Sequence, residues 1–556
     1  MFHVTCFMFH ETKKTSFLIF IVYLAVILLL YSPALTAFFV SDDFDWVNRV
    51  KSLSPLTHNY FLTNADGARA SGVYRPLTII SFWANYWLAD LDSSFFHLFS
   101  VILHALNAFL VFYFLKLILK PACSVGEPAC SVGRSDVAAI IAGLFFAVLP
   151  NHSEAVSWIS GRGDVLATFF YLLAAILYIA FRQKGGGWRL AVSLGCFLLA
   201  LFSKEMAITL PAILLAYEAI WQIRQIKQVI VYLLPFFVVL AGYFVLRFFA
   251  TGLFYGFYGN SNLNFSFQRA WEMLGGGWLS NFLNGAQVLV YWPVLPLAVI
   301  SLCILIGALL HTEARRAYIF GAIFFVLTLA PVVYLQLDHL TGEGERFIYL
   351  PSVGFSILVA ILMGDLLGRK SKAFLPISVA LVVSIYFSWM LWNKNINWQR
   401  AGELSRSLLF NFGQTVDLTK PNQGVVILGL PDNFRGAQVF RNGWLAALDL
   451  YYPFYAPDLL TVKAGLNITS DGDAAAISWQ TTTDGFVGES AQPIFYGTKN
   501  LESLDYQMMI KNYQKDILSG SAIELNFTPQ FRKQNENKAM IFLVMRGGRF
   551  EKLRPF

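Results

Sequence analysis

Charge is what this sequence has least of. Only 13% of its 556 residues are Asp, Glu, Lys or Arg, while 56% are hydrophobic and 16% aromatic. A soluble globular chain carries roughly a quarter charged residues, so composition excludes a soluble reading. Cysteine is scarce too, with five in all. Cys123 and Cys130 sit in a tandem copy, PACSVGE then PACSVGR, too far apart for a CxxC metal pair and with no His beside them. They read as a duplicated loop. No period of 30-odd residues is visible, which excludes a helical repeat array.

What is present is a series of long apolar blocks. Each runs roughly 17–25 residues, the length that crosses about 30 Å of hydrocarbon as helix. The blocks predict helices near Phe17–Val40, Phe95–Leu119, Val137–Val156, Val165–Phe181, Leu190–Phe202, Met206–Ile223 and Ile230–Phe249. Four more follow near Val294–Leu310, Ala317–Leu337, Phe347–Leu367 and Ala373–Trp392. The first run follows Lys13 and Lys14 but is too long for a signal-peptide core, so it reads as a retained helix. Ala270–Trp292, broken by Gly275-Gly276-Gly277, reads as interfacial or re-entrant. If it crosses instead, everything after it inverts.

The net charge of +7 would suit nucleic acid, but Lys and Arg gather in short loops between apolar blocks, where they set topology. With the N-terminus inside, six successive inner segments are basic: Lys13/Lys14, Lys120/Arg134, Arg182/Lys184/Arg189, Arg224/Lys227, Arg315/Arg316 and Arg369/Lys370/Lys372. Eleven spans then leave the C-terminal part outside. That part is of ordinary polarity, with strand-like runs Val425–Leu430, Ala475–Trp479 and Ala539–Met545 separated by turn residues. The expected fold is an all-α polytopic membrane module, residues 1–392, followed by a small extracytoplasmic α/β domain, residues 393–556. Within the module, 1–250 would form a catalytic seven-helix part and 251–392 a variable set of helices.

The outer loops under this topology carry both signs of charge. The first helix ends in Ser41-Asp42-Asp43-Phe44-Asp45-Trp46, and the long loop after it closes on Tyr74-Arg75-Pro76. The later turns hold His152, Glu154, Arg162 and Asp164, then Lys204 and Glu205, then Glu345 and Arg346. Any one of these suits an interfacial anchor or a local ion pair. Together they suit chemistry. A carboxylate can act as general base or hold a divalent cation, and Arg or Lys can bind a lipid phosphate. A base beside a phosphate clamp fits transfer of a group from a phospholipid-type leaving group to a hydroxyl or amine. His152 and Glu154, two apart, do not share a helical face, so a metal pair there is disfavoured; a kink is expected at Pro150. His97 and His104 lie on one helix face and read as packing residues.

At these residues the sequence resembles a known family. YRPLTIISFWANYWLADLDSSFFHLFSVILHALNAFLVFYFL, GLFFAVLPNHSEAVSWISGRGDVLATFFYLLAAILY, FSKEMAITLPAILLAYE and GERFIYLPSVGFSILVA are similar, in the same order, to signatures of the multi-spanning O-mannosyltransferases that carry tetratricopeptide repeats. The resemblance spans roughly residues 17–367. It implies a GT-C-class glycosyltransferase using a polyprenyl-phosphate sugar on the extracytoplasmic face. It also implies an acidic catalytic position at Asp42-Asp43 and a donor-phosphate site among Arg75, Arg162, Lys204 and Arg346. His152, Glu154, Asp164, Glu205 and Glu345 would support that site.

The repeats are missing from this sequence, which leaves the protein or glycan acceptor open and suggests a bacterial plasma membrane. Where protein cations hold a monophosphate donor no metal is needed; a diphosphate donor calls for Mg or Mn at Asp42 and Asp43. Two other readings stay open, a non-catalytic surface-glycan assembly protein and a lipid-linked-sugar transporter.

Overall fold

The computed structural model describes residues 2–52, 73–119, 132–222, 226–253, 312–332, 344–368 and 374–419, and beyond these 424–453, 455, 458–464 and the shorter strands up to 553. The blocks at Ala270–Trp292 and Val294–Leu310, the duplicated cysteine loop and the expected strand at Ala475–Trp479 lie outside the described residues.

Most described residues are helical. Four helices are long and apolar enough to cross a membrane: Ser93–Leu119, Ile159–Lys184, Ile226–Thr251 and Ala314–Val332. A bent pair, Asp136–Val148 with Pro150–Ser157, makes a fifth if counted as one span. The chain is an integral, multi-pass membrane protein.

In chain order α1 is Phe2–Leu30, α2 Asp42–Ser52, α3 Pro76–Ala89, α4 Ser93–Leu119, α5 Val132–Val148, α6 Ser153–Ser157 and α7 Arg162–Lys184. Then come α8 Gly187–Ser203, α9 Leu210–Trp221, α10 Ile226–Thr251, α11 Thr312–Leu329, α12 Pro351–Gly368 and α13 Phe374–Thr415. Two differences from expectation have physical causes, and one expected feature is present. The first helix stops at Leu30 rather than Val40, because Pro33 has no N–H to give the Leu29 carbonyl, which accepts the Ser32 hydroxyl at 2.9 Å instead; a single turn, Ser32–Leu35, follows. The kink expected at Pro150 is a 54° bend, where the ring removes a helical N–H. The last long helix continues past Trp392 to Thr415, carried by a buried stripe at Asn395, Trp398, Ala401, Ser405, Leu408, Leu409 and Phe412. The sequence reading placed α2 and α3 in loops.

The chain divides into two compact units, Met1–Leu35 with Leu53–Asn395, and Thr36–Ser52 with Ile396–Phe556. In the first, the core gathers apolar faces of α1, of the helices from α3 to α12 and of the first part of α13, with rings such as Tyr23, Phe114, Tyr171, Tyr178 and Phe324 fully buried. Helices α11 and α12 come close enough that a Cβ on Gly354 would lie 2.5 Å from the Phe325 nitrogen and 2.6 Å from the Gly321 oxygen. Helix α7 carries an ion pair at each end. Asp164 holds Lys204 at its start, and Arg182 donates to Glu218 at 2.6 and 3.1 Å near its end, with Tyr178 adding a bond to the same carboxylate at 2.8 Å. The 18 residues between them span about 27 Å of helix axis, close to one hydrocarbon thickness.

The second unit holds a five-stranded mixed sheet in the order β11-β10-β1-β4-β7. Its central strand β1 (Gly424–Pro431) runs parallel to β10 (Met540–Arg546) and β4 (Asp458–Ala464). β11 (Arg549–Leu553) and β7 (Ile494–Gly497) pair antiparallel at the edges. The crossover from β1 to β4 carries α14 (Trp444–Tyr451), as parallel neighbours require. β1 buries Val425, Ile427 and Leu430. β2 (Asn433–Phe434) and β3 (Ala437–Gln438) form a short ribbon, and β5 (Gln480–Thr481), β6 (Gly485–Ser490), β9 (Ser521–Phe527) and β8 (Tyr506–Lys511) pair in that order as a four-stranded antiparallel sheet.

Candidate active site

In the first unit the turns at the helix ends fold into one buried ionic layer. Arg75, at the start of α3, donates from Nε and NH2 to a single Glu205 oxygen at 3.0 and 2.9 Å. Arg247, from α10, faces the other oxygen at 3.8 Å. Burial pushes the Glu205 carboxyl up, but Arg75 and Arg247 together outweigh it and hold the group below its ordinary value. The adjacent Lys204 pairs with Asp164 at the start of α7. Lys204 Nζ also lies 4.9 Å from the centre of the Phe347 ring.

Arg346 shares that ring, its guanidinium 4.6 Å from the Phe347 centre and 5.0 Å from that of Trp158. Glu154 grips Arg346 twice, accepting from NH1 and, at 2.8 Å, from the backbone N–H. Glu345 pairs with Lys394 at 2.5 Å. Its burial and the nearby Glu154 charge raise its carboxyl above the ordinary value, and Lys394 only partly offsets them.

Arg162 is used differently. It is fully buried, and its guanidinium donates to the Phe96 carbonyl at 2.9 Å, the Ser81 carbonyl at 3.3 Å, Ser100 Oγ at 3.4 Å and Asn85 Oδ1. Phe82 and Phe99 cover it at 4.6 and 4.8 Å. It fastens α3 and α4 to α7.

His152 bonds to Ser352 Oγ at 2.7 Å while Glu154 serves Arg346, so the two side chains have separate partners. His104, expected to be a packing residue, meets the Tyr349 hydroxyl at 2.7 Å and the Ala147 carbonyl at 3.3 Å. Asn107 donates to that hydroxyl at 3.1 Å, so the phenol gives its own proton to His104 Nδ1 and the ring carries its hydrogen on Nε2. Tyr349 thereby ties α4 to the turn that bears Arg346.

The acidic loop belongs to the second unit. Asp43 is fully buried and caps its own turn, accepting the Val40 N–H at 3.1 Å. Asp42 is half-buried and accepts the Asn442 side-chain amide at 2.7 Å. Asp45 is exposed. Among the described residues no group of three or more His, Cys, Asp or Glu is placed to hold a metal ion.

Three groups were missed by sequence reasoning. Arg247 was legible as a lone charge in an apolar run, FVLRFFA, which in a membrane helix marks a paired residue. Lys394 and Asn442 left no comparable signal, since both lie in polar stretches.

No family model matches the chain. Among curated proteins it is similar to the human protein O-mannosyl-transferase TMTC3, 31% identical over 201 residues, covering 34% of this chain and 20% of that one. It is 32% identical to human TMTC2 over 221 residues, covering 36% of this chain and 24% of that one. The protein O-mannosyl-transferase F38B6.6 of Caenorhabditis elegans aligns more widely, 25% identical over 75% of this chain and 60% of its own length. The chain thus spans only about a quarter of the length of the human relatives. These relatives are animal proteins and lend the expected bacterial membrane no support.

Among solved structures the chain is similar to ArnT from Cupriavidus metallidurans bound to undecaprenyl phosphate, at 14% identity, 80% of this chain, 92% of that chain and a TM-score of 0.38. It is also similar to the archaeal oligosaccharyltransferase AglB from Archaeoglobus fulgidus in complex with an inhibitory peptide and a dolichol-phosphate, at 10% identity, 81% of this chain, 70% of that chain and a TM-score of 0.41. In sequence, the chain resembles the protein O-mannosyl-transferases, as its four ordered motifs implied.

Proposed function

We propose that the protein is a membrane glycosyltransferase that moves a mannose or similar hexose from a polyprenyl-phosphate carrier to an extracytoplasmic protein or glycan hydroxyl. The observation that carries this reading is the pair of cations on one ring. Lys204 and Arg346 both lie over Phe347, and each is held by a buried carboxylate on another element. Among the described residues the layer interleaves Arg75, Arg247, Lys204, Arg346 and Lys394 with Glu205, Asp164, Glu154 and Glu345. In a low-dielectric setting a guanidinium or ammonium acts strongly on a nearby anion.

In this reading Lys204 and Arg346 hold the donor phosphate, and Arg75 supports them through Glu205. The acceptor oxygen attacks C1 of the sugar and the C1–O bond to phosphate breaks. The electron pair leaves with the polyprenyl phosphate, whose growing charge the two cations stabilise. Asp42, the more accessible of the paired aspartates, takes the acceptor proton, while Asp43 fixes the turn. Arg162, spent on three helices, supports the scaffold. In this reading the charge on the phosphate is met by protein cations.

The test is transfer of radiolabelled mannose from polyprenyl-phosphate mannose to cell-envelope acceptors by the purified protein in detergent. Asp42→Asn is expected to abolish transfer, and Arg346→Ala to lower kcat by about 100-fold. Transfer that survives in both Asp42→Asn and Asp43→Asn removes the aspartates from the mechanism. No transfer from any polyprenyl sugar favours an assembly or transport role.

A further inference from the structure

Within the second unit, the turn that carries Asp42 is held by residues some 400 positions away in sequence. Ser41 adopts φ 47°, a left-handed conformation uncommon outside glycine. Three bonds support it and its neighbour: the Ser41 N–H donates to the Val439 carbonyl at 2.7 Å, the Asn442 N–H donates to Ser41 Oγ at 3.2 Å, and the Asn442 side-chain amide donates to Asp42 Oδ1 at 2.7 Å. Gly443 has φ 78°, and a Cβ there would drive into the Ser41 carbonyl oxygen, so only glycine fits. Phe44 stacks on Phe440 at 5.7 Å, and Asn48 donates to Asp449 at 2.8 Å. Arg441, beside Asn442, is paired with Asp432 at 2.5 Å.

We propose that Asn442 is a positioning residue for Asp42, its amide orienting the carboxylate toward the acceptor proton, so that the C-terminal part of the chain completes the acid centre. The inference rests on the reading of Asp42 as general base. An amide is suited to the task. It donates a hydrogen bond to a carboxylate oxygen without adding charge. A strained turn that two further contacts hold in place is the arrangement by which a chain fixes a reacting group.

The experiment compares wild type, Asp42→Asn, Asn442→Ala and the isosteric Asn442→Asp as full-length protein in detergent, measuring kcat, donor KM and the pH–rate profile. Asn442→Ala is expected to lower kcat about 10- to 100-fold with donor KM within about twofold, because the base is misplaced and the donor's cations are not. Its acid limb should move to higher pH, since the bond to the charged form is gone, and that of Asn442→Asp should move further, since a second carboxylate faces the first. A merely structural role would lower the yield of folded enzyme without moving the profile. If Asp42→Asn is inactive while both Asn442 variants keep the wild-type profile and kcat, the inference is overturned and the reading of Asp42 stands. If Asp42→Asn remains active, the reading of Asp42 as base fails, and with it the role of Asn442.

Discussion

Glu205 takes two Arg75 N–H groups on one carboxylate oxygen, at 3.0 and 2.9 Å, and turns the other to Arg247 at 3.8 Å. One buried acid therefore answers two cations. Glu205→Gln leaves both charges buried and should cost about 3–5 kcal/mol at neutral pH. The native carboxyl sits below its ordinary value, so its contribution is present above the ordinary carboxylate range and is lost as pH falls through the lowered value. Melting in detergent should show a wide gap between wild type and Glu205→Gln at pH 7 and a narrowing gap in acid. Equal melting at pH 7 would refute the assignment.

Arg162→Lys tests whether this residue is a fastener or a phosphate ligand. A lysine cannot reach Ser81, Asn85, Phe96 and Ser100 together, because its three donors sit on one atom. The expected result is a loss of roughly 2–4 kcal/mol in stability with an unchanged donor KM in the protein that survives. A raised donor KM at wild-type stability would return Arg162 to the phosphate site.

Lys204→Met and Arg346→Lys remove or weaken the cations on Phe347. Each should reduce kcat by about 10- to 1000-fold, more than it raises donor KM, because the phosphate gains charge as the bond breaks. A pure KM effect would mean that the pair binds ground state and transition state alike.

Gly354→Ala inserts a methyl where α12 meets the backbone of α11 at Phe325 and Gly321. Two helix backbones must separate to admit it, at a cost of about 1–3 kcal/mol. The melting temperature should fall, whereas Gly195→Ala, which meets nothing within 4 Å, should leave it within error or raise it slightly.

The membrane character and most helix positions were legible because apolar length is a property of the chain itself. Ser93–Leu119 was expected to within a few residues, and Gly187–Ser203 likewise. The short helices α2 and α3 were not, since charge in one and a proline start in the other look like loop. The site was legible as a set of residue types but not as pairs. Adjacency in sequence suggested Lys204 with Glu205 and Arg346 with Glu345, whereas the fold pairs Lys204 with Asp164 and Arg346 with Glu154. Arg75, expected at the donor phosphate, pairs with Glu205. Partner choice depends on which turns meet, and no local pattern encodes that.

Helix α7 is bolted at both rims, by Lys204 on Asp164 and by Arg182 on Glu218. A helix held so cannot climb by a turn without breaking two buried ion pairs at once, each costly to leave half-open. Its depth is thereby pinned, and with it the height of the Arg162 and Asp164 end. Movement within this unit must then come from parts that hinge around this fixed post, rather than from a piston stroke along it.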